Sequence, residues 1–320
     1  MKIVITGING FIGTGLRSRL LHSGHTVIGA TNKANSTRLA LEGVETAAIG
    51  TVNAATDWHN ALAGCEAVVH LAARVHVMRD EATDPLAEFR AVNVEGTLNL
   101  ARQAAETGTR RFVYISSIKV NGEQTPPGRP FTELDVRVPL DPYGISKHEA
   151  EEGLCKLAQQ TGMEVVIIRS PLVYGPGVKA NFLNMMRWLH KGVPLPLGVI
   201  NNRRSLVALD NLLDFIVTCL DHPAAANQTF LVSDGEDLST AELLRRLAAA
   251  LNVPARLLPV PQKLLEAGFK IVGQSVLAQR LCGSLQVDIT KARTMLDWSP
   301  PVSVDEGLHR TAEHFLRSWG

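Results

Sequence analysis

The chain has 320 residues, 45% hydrophobic and 20% charged, with a formal net charge of +1. That balance excludes a disordered or fibrous chain and offers no basic surface for nucleic acid or an anionic membrane, whereas a phosphate-bearing small molecule needs only a few placed cations. The cysteines Cys65, Cys155, Cys219 and Cys282 are scattered without a C-x-x-C pair, so neither a metal site nor a disulfide framework is expected, and reduced thiols point to the cytoplasm.

Taken in chain order, Lys2 to Thr6 is a short β-branched run that predicts a buried strand, and Met1 leads directly into it, so no signal peptide is expected. Gly7-Ile8-Asn9-Gly10-Phe11-Ile12-Gly13 follows. Helical spacing then runs from Thr14 to His22, with Gly24 as its stop. Further strands are predicted at Thr26 to Ala30, Glu66 to Ala72, Arg111 to Ser116 and Glu164 to Arg169. Helices are predicted at 85–107 and from Pro142, capped by Asp141, to about Gln160. Apolar strands alternating with helices predict a parallel sheet covered on both faces, an α/β Rossmann-type doubly wound domain over 1–170.

After Ser170 the alternation weakens. Helices at about 205–221, 239–251, 261–281 and 303–318, with a strand near Thr229 to Ser233, predict a smaller mixed C-terminal lobe, 171–320. This lobe is expected to hold substrate over the sheet's carboxyl edge and to return some segments to the first domain. No apolar stretch reaches the roughly 20 residues of a membrane span.

A G-x-x-G-x-x-G run between a strand and a helix has the context of a dinucleotide loop. Gly7 permits the tight turn, Gly10 lets the backbone approach a pyrophosphate, and Gly13 lets the helix pack on the strand. The helix N-terminus then meets the anion with its amides and dipole. An acid ending the second strand would bond the ribose hydroxyls and repel a 2′-phosphate. Thr31 stands there instead, followed by Asn32, Lys33 and, further on, Arg38. The two cations are either partners for a 2′-phosphate or solvated loop charges, and the cofactor reading, NADP or NAD, inclines to NADP(H).

Tyr143 and Lys147 lie four apart near a helix start and share a face. A free tyrosine, with a pKa of about 10, is a poor base at neutral pH, and a neighbouring ammonium lowers it. The strand at Arg111 to Ser116 leads into Ser117, where a hydroxyl can orient the oxygen that Tyr143 protonates.

With these three pieces in order, the chain resembles the extended short-chain dehydrogenase/reductases of the sugar-nucleotide epimerase/dehydratase family, over nearly its whole length. The matching residues are the glycine loop, His70-Leu71-Ala72-Ala73, Asn93 in N-V-E-G-T, Ser116-Ser117, Tyr143/Lys147 and the run Arg169 to Gly177. The resemblance implies Ser117, Tyr143 and Lys147 as the catalytic trio. It implies a cofactor lined by Gly7, Asn9, Gly10, Phe11, Ile12, Gly13, Thr31, Asn32, Lys33, Leu71, Ala72, Ala73, Asn93, Ser116, Tyr143, Lys147, Ser170, Pro171 and Val173. It also implies Asn181, Phe182, Arg204 (before an R-S-L-V strand) and Arg280 as contacts to the nucleotide diphosphate of a UDP-linked sugar, with Ser117 at the sugar.

Departures from the family pattern narrow the reaction. Dehydratases carry an Asp-Glu pair where Ile118-Lys119 stands, so dehydration is not expected. Thr31, and Thr51 after the third strand, replace acids of the NAD-bound 4-epimerases. Ser116 to Glu123 and Pro194 to Gly198 resemble a bacterial subgroup serving surface-polysaccharide sugar synthesis. The leading expectation is therefore a UDP-4-keto-6-deoxy-HexNAc 4-reductase. A UDP-glucose/UDP-GlcNAc 4-epimerase is the alternative, a steroid- or flavonoid-type ketoreductase a further one, and a non-catalytic dinucleotide sensor the alternative of another class. A homodimer is allowed. His70 reads as a packed core residue, His76 as either a substrate contact or a loop residue, Glu149, Glu151 and Glu152 as a solvated helix face, and the apolar positions from Phe269 to Leu281 as lobe packing.

Overall fold

The computed structural model describes residues 1–31, 43–75, 84–126, 128–271, 273 and 275–319. Its strands, in chain order, are β1 (Lys2–Thr6), β2 (Thr26–Thr31), β3 (Glu45–Ala48), β4 (Ala67–His70), β5 (Arg111–Ser117), β6 (Glu164–Ser170), β7 (Leu172–Tyr174), β8 (Arg204–Ala208), β9 (Thr229–Leu231) and β10 (Asp237–Leu238). Its helices are α1 (Phe11–His22), α2 (His59–Leu62), α3 (Pro85–Arg90), α4 (Thr97–Glu106), α5 (Pro142–Thr161), α6 (Ala180–His190), α7 (Leu209–Asp221), α8 (Thr240–Ala250), α9 (Gln262–Ile271), α10 (Ser275–Cys282), α11 (Thr290–Leu296) and α12 (Val304–Trp319).

Seven strands form one parallel sheet in the order β3-β2-β1-β4-β5-β6-β9. Side chains alternate across a strand. Ile3, Ile5, Val69 and Val113 therefore face α1 and α7, packing on Leu16, Leu20, Leu212 and Phe215. Val4, Val68 and Phe112 face the other way, onto Leu100 and Ala104 of α4 and Ala150 and Leu154 of α5. Burial on both sides explains why these strands are apolar throughout. The chain crosses from one side of β1 to the other between β3 and β4, so the switch point lies at the carboxyl ends of β1 and β4, where such sheets bind ligands.

A second sheet, β10-β8-β7, carries a separate core built from Phe182, Met186, Leu206, Leu244, Leu308 and their neighbours. Segment β9 joins the large sheet, and α7 packs on α1.

Three expected elements differ. Residues 205–208, placed in a helix by spacing, form strand β8, because Leu206 and Val207 pair with Leu172 and Val173 of β7; short apolar runs do not reveal their period. The helix expected over 261–281 is broken into α9 and α10 around Gly273, whose φ is 70°. The helix expected over 85–107 contains a wider, π-type turn at Ala91–Gly96, a distortion frequent at functional sites.

Candidate active site

The glycine loop is a close-packed turn at the switch point. Gly7 has φ 67°, and a Cβ there would stand 2.9 Å from the amide nitrogen of Ala72. At Gly13 a Cβ would lie 2.2 Å from the Gly7 carbonyl oxygen, so α1 can approach β1 only without a side chain there. Thr6 Oγ1 accepts from the amides of Leu71 (3.2 Å) and Ala72 (3.1 Å), which ties the loop after β4 against the glycine turn. Gly10 is the N-cap of α1, with no side-chain cap and no acid in the first turn, leaving the positive end of the helix for an anion. Asn9 Nδ2 donates to Thr31 Oγ1 at 3.1 Å, so the loop and the end of β2 form one wall. A glycine turn with no room for side chains, beside an uncapped helix start, fits the diphosphate of a nicotinamide dinucleotide. Asn32, Lys33, Arg38 and His76 lie outside the described residues.

Ser117, at the end of β5, and Tyr143, in the first turn of α5, are brought together, near enough for the Ser117 side chain to lower the pKa of the phenol. Asp141 caps α5 by accepting from the Gly144 amide at 2.7 Å, and Pro142 occupies the first turn. Burial, then the charge of Asp141, pushes the Tyr143 phenol up to about 12, while the Ser117 side chain pulls it down. Lys147 is one turn on, its Nζ 5.9 Å from the Tyr143 ring centroid and 4.4 Å from that of Tyr114. Its ammonium donates to the Ile115 carbonyl at 2.9 Å. Burial lowers Lys147 to about 7, opposed by the charge of Glu151. The arrangement provides a protonated phenol beside a hydroxyl, backed by a lysine that is easily charged or discharged near neutrality.

Asn93, in the π-type turn, is buried. It accepts from the Arg74 amide (2.8 Å) and donates to the Arg74 carbonyl (3.0 Å) and to Ser146 Oγ (3.0 Å), fixing the loop after β4 to the helix of Tyr143. His70 is fully buried between Thr6 Oγ1 and Thr97 Oγ1. Burial, and then the charge of Lys147, lowers its pKa to about 3. It is a core residue, as expected.

Glu151 corrects the sequence reading. It is not solvated: only 1% of it is exposed. It accepts from Ser116 Oγ at 2.5 Å and holds the guanidinium of Arg169 with both oxygens. Arg169 also donates to Asn121 Oδ1 at 2.9 Å. Ser116 thus turns its hydroxyl away from Ser117, into this network. Spacing holds the missed signal, since Glu151 follows Tyr143 and Lys147 at successive intervals of four on one helix face. Glu149 and Glu152 do lie towards the surface, Glu149 pairing with Arg90.

Of the lobe residues, the Phe182 ring is core, stacked on Tyr174 at 5.5 Å, while Asn181 is exposed. Ser170 and Pro171 are buried beside Ser117 at the end of β6, and Val173 packs on the main core. Arg204 donates to the Gly283 carbonyl at 3.0 Å, and burial followed by the charge of Arg280 lowers its pKa. Among the described residues, neither guanidinium pairs with a carboxylate.

Residues 3–233 match the model of the NAD dependent epimerase/dehydratase family. The chain belongs to that family. A Vibrio cholerae protein named UDP-glucose 4-epimerase is 50% identical over 99% of this chain and 96% of its own length. An Escherichia coli O157:H7 protein named N-acetyl-alpha-D-glucosaminyl-diphospho-ditrans,octacis-undecaprenol 4-epimerase is 28% identical over 98% of this chain and 95% of its own. Among solved structures, the UDP-glucuronic acid 4-epimerase from Bacillus cereus in complex with NAD superposes with a TM-score of 0.80 at 22% identity, covering 100% of this chain and 98% of that one, and so shares the fold. This member of the epimerase/dehydratase family is an enzyme. No described helix is long and apolar enough to cross a membrane.

Proposed function

We propose that the enzyme is a UDP-hexose 4-epimerase, which oxidises the C4 hydroxyl of a UDP-linked sugar and reduces the resulting ketone on its opposite face. The observation that carries the sugar-nucleotide reading is the Arg204–Arg280 pair. Arg204, partly buried, donating to the Gly283 carbonyl and within reach of the charge of Arg280, suits an anion carrying charge on adjacent phosphates. The 50% identical relative named UDP-glucose 4-epimerase supports the choice of sugar nucleotide and reaction.

A nicotinamide dinucleotide bound along Gly7 to Gly13 supplies the hydride carrier. As the phenolate, Tyr143 Oη takes the proton from the C4 hydroxyl, and as the resulting phenol it returns that proton to the ketone oxygen. Ser117 Oγ, beside Tyr143, orients that oxygen. Lys147 stabilises the phenolate when charged. Asn93 and the network of Glu151 hold the elements that carry these groups.

A 4-ketoreductase acting on a UDP-4-keto-6-deoxy-HexNAc is the second reading. It is favoured by Thr31, which puts no carboxylate at the end of β2 to repel the 2′-phosphate of NADP(H). Incubation with UDP-glucose or UDP-GlcNAc, followed by proton NMR, separates the two. Appearance of the C4 epimer without net consumption of reduced cofactor supports the epimerase. Oxidation of reduced cofactor in proportion to a 4-keto sugar, with no epimer formed, refutes it. Arg204→Ala is expected to weaken UDP binding by about tenfold or more, from the loss of a charge-assisted bond.

A further inference from the structure

Lys119 sits in the short turn after β5 and touches both sides of the site. Its amide donates to Ser117 Oγ at 3.3 Å. Its ammonium donates to Asp141 Oδ2, and Glu123 Oε1 lies 3.6 Å from the same nitrogen. The other oxygen of Asp141 caps the helix that carries Tyr143. The two segments also meet directly, since a Cβ on Gly144 would stand 3.0 Å from the Lys119 carbonyl oxygen.

We propose that Lys119 is a positioning residue that clamps the serine strand to the tyrosine helix and neutralises the Asp141 carboxylate, thereby setting the acidity of Tyr143. The proposal rests on Tyr143 being the proton-transfer group.

Tyr143 is faced by Lys147 from its own helix, by Tyr114 and Ser117 from β5, and by Phe89 edge-on from α3. Beyond Phe89 lies Arg74, paired with Glu88. From the helix cap it is faced by Asp141, with Lys119 and Glu123 behind. Of these, Asp141 is the anion that makes the phenolate harder to form. A carboxylate whose charge is met by an ammonium repels a nearby phenolate less than a bare one. Lys119 therefore acts on Tyr143 through Asp141.

The experiment measures kcat against pH with UDP-glucose and NAD, together with fluorine NMR titration of fluorotyrosine-labelled protein without ligands. The chain has 3 tyrosines, and Tyr143→Phe assigns the resonance. Lys119→Met should move both the phenolate-dependent limb and the resonance to higher pH by about one unit. Asp141→Asn, which keeps an N-cap acceptor, should move both to lower pH, and the double variant should return towards the parent. Lys119→Arg should retain the parent profile. A Lys119→Met enzyme slowed equally at every pH, with an unshifted resonance, overturns the proposal, as does an Asp141→Asn enzyme with no downward shift. Full turnover in Tyr143→Phe is a different failure, that of the catalytic reading beneath it.

Discussion

Glu151 grips Arg169 through both carboxylate oxygens, at 2.7 to 3.2 Å, with at most 1% of either side chain exposed. The pair joins α5 to β6, and through Ser116 and Asn121 it reaches the end of β5 and the turn beyond. Removing one member strands the other charge away from water. Glu151→Ala should therefore cost about 3–5 kcal/mol of stability, read from the urea midpoint at constant slope. A midpoint unchanged from the parent would show that the pair bears no such burden.

Gly13 is limited by space, not by dihedral angle. The 2.2 Å approach to the Gly7 carbonyl means that Gly13→Ala must push α1 off β1. The expected result is a loss of about 1–3 kcal/mol in stability. Dinucleotide affinity measured by calorimetry should fall by about tenfold, worth about 1.4 kcal/mol. Parent-like affinity would mean that the turn does not carry the diphosphate.

Much of this was legible in the sequence because its signals are local. The glycine spacing, the strand before it and the helix after it needed no tertiary information, and neither did Asp141-Pro142 at the start of α5. Strands β7 and β8 were not so legible: at three and five residues they are too short to display a period, and their strand character comes from pairing with each other. Glu151 was misread because a glutamate on a helix ordinarily faces water. Only the arginine arriving from β6, 18 residues later, makes its burial possible. The role of Lys119 likewise depends on a residue 22 positions away.

Thr31 makes the cofactor choice testable. Its hydroxyl receives the Asn9 amide at the edge of the glycine turn. Thr31→Asp should weaken NADP(H) binding by about tenfold or more, by repelling the 2′-phosphate, while sparing NAD(H). Equal affinity of the variant for both cofactors, each as in the parent, would remove residue 31 from the ribose site.

His70 predicts how stability responds to acid. Its folded pKa of about 3 lies below the reference of 6.5. Between those values the unfolded chain takes up a proton that the folded one refuses. The stability present above pH 6.5 is thus lost as pH falls towards 3, at up to about 1.4 kcal/mol per unit. In His70→Gln, which lacks the titrating ring, chemical denaturation between those limits should show a shallower dependence on pH. Parallel curves for parent and variant would contradict a neutral, buried His70.

The central claim is that Tyr143 moves the proton at C4. Tyr143→Phe keeps the ring that meets Phe89 edge-on and removes only the hydroxyl. The most direct measurement is turnover of UDP-glucose by this variant beside its calorimetric affinity for NAD. The account predicts turnover reduced by about 10²- to 10⁴-fold, the usual worth of a positioned acid or base, with NAD affinity held within about twofold, since no transition-state proton is involved in binding. Turnover within a few fold of the parent would contradict it.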